Sequence, residues 1–253
     1  MTNGPERDPV QEIIYRINAT VNWLSDRITP GAEADLTVLL IALAVLAPLV
    51  AIRPTWLALR HGVTIIHEMG HVTMGRLFGR RIDGISLHTD TSGLTISAGK
   101  PRGLGVLMTY LAGYTAPPAL GLGMTWAAVN GYSGLALLAL LLILVSAFWL
   151  VRNLWGLVTI TLTLGVVGFI FWQGDTTRIT TAVVLIATFL LLSGLRGGFD
   201  LWAVHQSGNG GSSDASMAAQ HSLIPATVWV YLFGAFGFAC AVWAFQAVVR
   251  AFT

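Results

Sequence analysis

Five consecutive residues carry the most specific chemistry in this chain: His67-Glu68-Met69-Gly70-His71. On a helix, residues four apart project from one face. Two neutral imidazoles at that spacing can share one zinc ion, and Glu68 lies beside them, placed to accept a proton from water. Zinc held there lowers the pKa of water from 15.7 toward about 7, which supplies hydroxide at neutral pH. With six histidines and four glutamates in 253 residues, composition alone seldom produces this pattern. A polar cluster that merely braces a helix bundle is the rival account of it.

The surroundings sharpen the first account. The chain is 55% hydrophobic and only 10% charged, against about 25% charged for a soluble domain, and its net charge is +2. Its apolar residues fall in long charge-free blocks, 36–52, 103–151, 153–174, 179–195 and 215–249. A helix needs about 20 apolar residues to cross a bilayer, so the block from Gly103 holds two spans. The expected fold is an all-α polytopic membrane protein with about seven transmembrane helices, near 36–53, 59–77, 104–128, 134–151, 154–173, 181–204 and 225–248. His67 and Glu68 then sit mid-span, where ionisable residues are costly and functional by default. No basic run tracks phosphates, so nucleic acid is not an expected partner. The single cysteine, Cys240, excludes a disulfide framework and a cysteine-based zinc cluster. The N-terminus lacks the signature of a signal peptide.

Two regions are expected: residues 1–35, an amphipathic N-terminal segment, and 36–253, the membrane domain. In the first, Val10, Ile13, Ile14, Ile17, Val21, Leu24 and Ile28 recur at helical spacing. Such a helix lies in the membrane interface or packs on the protein's own face. Within the second, 81–100 alternates around the polar turn Thr89-Asp90-Thr91-Ser92-Gly93 and reads as a small cytoplasmic β-hairpin after the His-bearing span. Residues 205–214 form a cytoplasmic Gly/Ser/Asn loop. Seven crossings place Arg7, Arg16, Arg27, Arg76, Arg80, Arg81, Lys100, Arg102, Arg152 and Arg196 on the N-terminal side. Arg53, Arg60, Arg178 and Arg250 fall on the other. That bias predicts an N-terminus in the cytoplasm, an active site toward the same face, and residence in the plasma membrane.

Catalytic zinc takes three protein ligands and keeps one position open. Asp200, near the end of the sixth span, lies at a depth comparable to the histidines; alternatively it pairs with Arg196 one turn earlier. Asp214 precedes a short helical stretch, where capping is the competing role. Asp83 and Asp90 belong to the hairpin turns. His205 and His221 are further candidates, solvated or in the core by default, and His61 and His88 are read as structural.

These residues resemble a known family. The His67–His71 motif in a span, a hairpin opening Gly79-Arg80-Arg81-Ile82, and the Gly/Pro-broken Leu111-Ala112-Gly113-Tyr114-Thr115-Ala116-Pro117-Pro118 are similar to the site-2 proteases, intramembrane zinc metalloproteases. The closest likeness is to the divergent peptidase-like branch. There an Asp near a span's end is followed by Ser-Asp-Ala, Pro and Trp; here these are Asp200, Ser213-Asp214-Ala215, Pro225 and Trp229. The resemblance implies Zn2+ as cofactor, Glu68 as catalytic base and His67, His71 and Asp200 or Asp214 as metal ligands. It implies hydrolysis of membrane-spanning protein substrates within the lipid bilayer, in regulated intramembrane proteolysis. The Asn/Pro-rich segment ending Asp-Gly, which carries the third ligand in better-known members, is missing after the hairpin, so both aspartates stay open. By depth Asp200 is preferred. Two other classes compete: a non-proteolytic metal-binding membrane protein that retains clients, and a small ion-coupled transporter using His67, Glu68 and Asp200.

Overall fold

The computed structural model describes residues 9–253. Nine helices and one two-stranded antiparallel sheet make up its order: α1 Pro9–Ile28, α2 Leu36–Ala51, α3 Arg53–Leu77, β1 Arg81–Leu87, β2 Gly93–Ala98, α4 Leu104–Val129, α5 Ser133–Leu150, α6 Leu154–Gln173, α7 Thr176–Gln206, α8 Asp214–Gln220 and α9 Ala226–Phe252. Each expected span and the expected hairpin thus has a counterpart.

Fewer of these helices than expected qualify as membrane crossings. Among the described residues, α5, α6, α7 and α9 are long and apolar enough, and α2 joined to α3 makes a fifth if that bent pair is one span. The pair turns through 107°. The break falls at Ile52, which is extended, and Pro54 follows in the first turn of α3. α4 is long enough, but it carries Thr, Tyr, Gly and two prolines because it is the helix the others pack on. It meets α3, α7 and α9 along its length.

The corner at Ile52 changes where the N-terminal segment lies. Gly31 N–H donates to Gly131 O, Ala34 N–H to Ala128 O, and Thr180 Oγ1 to Ala32 O. Residues 31–34 therefore sit at the end of the bundle formed by the α4–α5 and α6–α7 turns. α2 then runs alongside α7 until Ala51 O accepts from Arg196. The hairpin, the α5–α6 turn and the α7–α8 loop gather at the opposite end. The expectation that the N-terminal segment shares a face with the site is corrected by these bonds for residues 9–35: the chain turns a corner at Ile52 where a return crossing is expected.

α1 combines both readings of its amphipathic pattern. Its C-terminal part docks, with Arg27 donating to Phe171 O and Trp172 O and Trp23 set against both rings. Val10, Ile13, Ile14, Ile17 and Val21 remain exposed. α4, α7 and α9 pack closely through small residues, as membrane helices do. Gly198 lies against Gly234 and Gly237 against Gly194, so α9 runs antiparallel to α7.

Among the described residues the hairpin is the one sheet. Its register pairs Ile85 with Thr95 and Leu87 with Gly93, and a bulge separates Ile82 from Gly84. Opposed residues share a face, so buried Ile85 and Leu87 stand with Thr95 and Gly93, while Leu94 and Ile96 are exposed on the other. The outer edge of β1 is covered: Arg152 N–H donates to Ile85 O, and Asn153 bonds both the N–H and the carbonyl of Leu87. At the tip, Ser92 N–H and Oγ donate to Asp90, which holds that exposed carboxyl below its usual range. Thr64 Oγ1 donates to Thr91 O and fastens the tip to α3.

Candidate metal centre

α3 supplies the first two ligand candidates. His67 and His71 turn their rings to the same side, with Nε2 atoms 3.1 Å apart. His71 Nδ1 lies 2.7 Å from Thr109 O in α4. A carbonyl only accepts, so Nδ1 carries the proton and Nε2 presents a lone pair, the second-shell arrangement typical of a metal-binding imidazole. The rings fit because α4 has no side chain opposite them. A Cβ on Gly113 would come within 2.5 Å of the His71 ring and 2.6 Å of His67 Nε2. Gly113 and the two prolines do not loosen α4, which stays helical through Pro117 and Pro118. Gly113 instead makes room. Gly113→Ala is accordingly expected to fold and to lose most of its metal, measured as bound zinc per chain after dialysis against a weak chelator.

Asp214 completes the group. Its Oδ2 lies 3.1 Å from His67 Nε2 and 3.3 Å from His71 Nε2. Among the described residues these three form the cluster of His, Cys, Asp or Glu atoms able to share an ion. The capping role considered for Asp214 belongs to its neighbour: Ser213 Oγ accepts from Ser216 N–H. Ser213 is itself held by His205, whose Nε2 lies 2.7 Å from the hydroxyl. Asp214 is thereby the first residue of α8, with its carboxylate free to face the imidazoles.

The set fits a small divalent ion. Asp214 Oδ2 is buried yet has no hydrogen-bond partner, although two ring nitrogens stand within 3.3 Å. Electron-rich atoms brought this close are stabilised by a cation between them. Zn–N and Zn–O bonds of about 2.0–2.1 Å in a tetrahedron separate ligand atoms by about 3.3 Å, close to the spacing here.

Glu68 points away from these atoms and into the hairpin. It is 3% exposed, and Thr95 Oγ1 donates to its Oε2 at 2.6 Å. A Cβ on Gly93 would collide with its carboxylate. Two cavities, of about 220 and 280 Å³, flank the group and share His67, Glu68, Gly93 and Asp214 among their walls. The two adjoin along these shared walls, so the group stands between them in one groove.

The other candidates lie elsewhere. Asp200 accepts from Arg196 Nε at 2.9 Å and from Trp56 Nε1 at 2.8 Å; with Arg196 also bonded to Ala51 O, this braces the α2–α3 corner against α7. Asp200, preferred by depth, is thus engaged by Arg196 and Trp56 and stands outside the converging group. His221 stacks on Tyr110, His61 meets the edge of Trp155, and His88 bonds Ser92 within the turn. Asp83 pairs with Arg81. Thr95, Gly93 and Thr109 were not singled out in the sequence; their roles depend on hairpin register and helix contact, which no local pattern announces.

The fold and the site together define a helical membrane protein that presents a two-histidine, one-carboxylate metal-ligand group beside a buried glutamate. The chain matches the family model described as Peptidase M50B-like over residues 36–244, and it belongs to that family. This is the membership that the sequence motifs implied, since it falls within the site-2 protease group. No curated protein and no solved structure matches the chain significantly.

Proposed function

We propose that this chain is an intramembrane zinc metalloprotease that hydrolyses peptide bonds of membrane-embedded proteins, with His67, His71 and Asp214 holding the metal and Glu68 acting as general base. The observation that carries this reading is the convergence of the three ligand atoms next to a carboxylate that is buried and outside the ligand set. Zinc, when bound, polarises the scissile carbonyl and acidifies water. The protein does the rest. Thr109 fixes the His71 tautomer, and Thr95 orients Glu68 through one oxygen, leaving the other to take the water's proton and pass it to the leaving amine.

The groove suits an extended peptide. The outer edge of β1 is covered by residues 151–153, whereas β2 borders both cavities through Gly93. A locally unwound substrate adds as a strand beside β2, which aligns its carbonyls with the site. Orientation follows from charge. Arg76, Arg80, Arg81, Lys100, Arg102 and Arg152 collect at the hairpin end, against Arg16, Arg27, Arg178 and Arg250 at the other, with Arg53, Arg60 and Arg196 on the segments between. The site end therefore faces the cytoplasm of a plasma-membrane protein, with α1 on the opposite side. On this reading α3 and α4 are also membrane-embedded, inside a ring of lipid-facing helices.

The experiment is metal content of the purified protein, wild type against His67→Ala, with cleavage of a single-span substrate in proteoliposomes. One zinc per wild-type chain, none in the variant, and cleavage by the wild type alone are expected. A wild type free of metal would remove the proposal. Stoichiometric zinc without cleavage of any spanning peptide would favour a client-retaining metal-binding protein instead.

A further inference from the structure

Among the polar groups that line the groove, Tyr114 is used by neither ligand geometry nor base chemistry and is held directly against a ligand candidate. Tyr114 follows Gly113 in α4. Its ring meets His67 edge to face, with centroids 4.9 Å apart, and stacks on Phe233 of α9 at 5.3 Å. Phe233 is buried, so the ring is clamped between a ligand and the core, and it lines the cavity that Glu68, His67 and Asp214 also line. Among the described residues its hydroxyl makes no hydrogen bond, yet it is not among the buried polar atoms left without a partner. The oxygen therefore keeps some exposure, on a side chain that lines the cavity. A phenol fixed in place, unpartnered and facing a groove is a donor waiting for an acceptor that the protein does not supply.

We propose that Tyr114 is a catalytic residue: its hydroxyl donates a hydrogen bond to the scissile carbonyl oxygen as that oxygen gains charge. The proposal rests on the hydrolase reading above. In the step concerned, a water oxygen bonds to the carbonyl carbon and the C=O π pair moves onto oxygen. Glu68 takes the water's proton and later delivers it to nitrogen as the C–N bond breaks. Tyr114 keeps its own proton throughout and stabilises the charge only while it exists. Such a donor, preorganised by packing against His67 and Phe233, raises turnover without tightening substrate binding. The bland alternative is that Tyr114 only packs against His67. That role needs the ring and not the oxygen.

Tyr114→Phe separates the two, since it keeps the ring. With a single-span substrate, kcat is expected to fall about 10²–10³-fold, with KM and zinc content unchanged. In parallel, a phosphinic peptide, whose charged oxygens mimic the developing oxyanion, should bind the variant more weakly by a similar factor. Binding of the intact substrate to a Glu68→Gln background should not change on adding Tyr114→Phe. Wild-type turnover and wild-type phosphinic affinity in Tyr114→Phe would overturn the proposal while leaving the protease reading intact. Loss of zinc from Tyr114→Phe would overturn it in favour of a positioning role at His67. A wild type that binds zinc and the phosphinic peptide but cleaves nothing would remove the protease reading, and this proposal with it.

Discussion

Glu68→Gln is expected to retain a full complement of zinc while cleavage of a single-span substrate drops by about 10²–10⁴-fold, the range a positioned general base contributes. The substitution changes little besides basicity. Glutamine has the shape of glutamate, and its amide oxygen can still accept from Thr95 Oγ1, now 2.6 Å from Glu68 Oε2. What it cannot do is take a proton. The metal stays because the carboxylate of Glu68 is not one of the converging atoms, which belong to His67, His71 and Asp214. The measurement is zinc by elemental analysis alongside product formation in proteoliposomes, both on the same preparation. Unchanged turnover would mean that Glu68 is not the base. Loss of zinc with loss of turnover would mean that it is a ligand, and that the convergence of the other three is incidental.

The second large effect contrasts the two aspartates. Asp214→Asn is expected to lower zinc affinity by at least tenfold, and Asp214→Ala to abolish stoichiometric binding. Two imidazoles alone make a poor site, and the neutral amide oxygen replaces the one charged ligand. Asp200→Asn should bind zinc as the wild type does and fail differently. It loses the charge that Arg196 is bonded to and weakens the bond from Trp56. Bonds to charged groups contribute about 1.5–3 kcal/mol, so that variant should unfold at a lower temperature with metal content intact. The reverse pattern, zinc lost from Asp200→Asn and kept in both Asp214 variants, would return Asp214 to a helix-start role.

This contrast also shows where sequence reading works. The His67–His71 pair was legible because both histidines and Glu68 lie within one turn or so of one helix, so local spacing fixes their geometry. The hairpin was legible from alternation, and the helices from charge-free blocks. The third ligand was not, because Asp200 and Asp214 differ in which way they face across an intervening loop. One local signal was present: Ser213 supplies the cap, which leaves Asp214 without its ordinary employment. The corner at Ile52 had a signal as well. Proline is favoured in the first turn of a helix and so marks a helix start, and Pro54 follows the break within two residues. A full return crossing over 59–77 would put the N-terminal segment at the site end, whereas the corner leaves residues 9–35 at the other. Tyr114 was visible only as part of a Gly/Pro-broken stretch, since its meaning depends on Phe233 and His67 closing on it from two other helices.

The cap at Ser213 has a consequence for how the centre comes into being. Two ligands are permanent features of α3, whereas the third arrives on α8, a seven-residue helix at the end of a Gly/Ser loop. On the proposed reading, docking of that segment and capture of the ion are a single equilibrium, because an ion that prefers the three-ligand arrangement draws the segment in by its differential affinity. A nascent or metal-starved chain would hold its groove with one wall unset. The cell's zinc supply would then act as an assembly factor for this protein as well as a reagent in its chemistry.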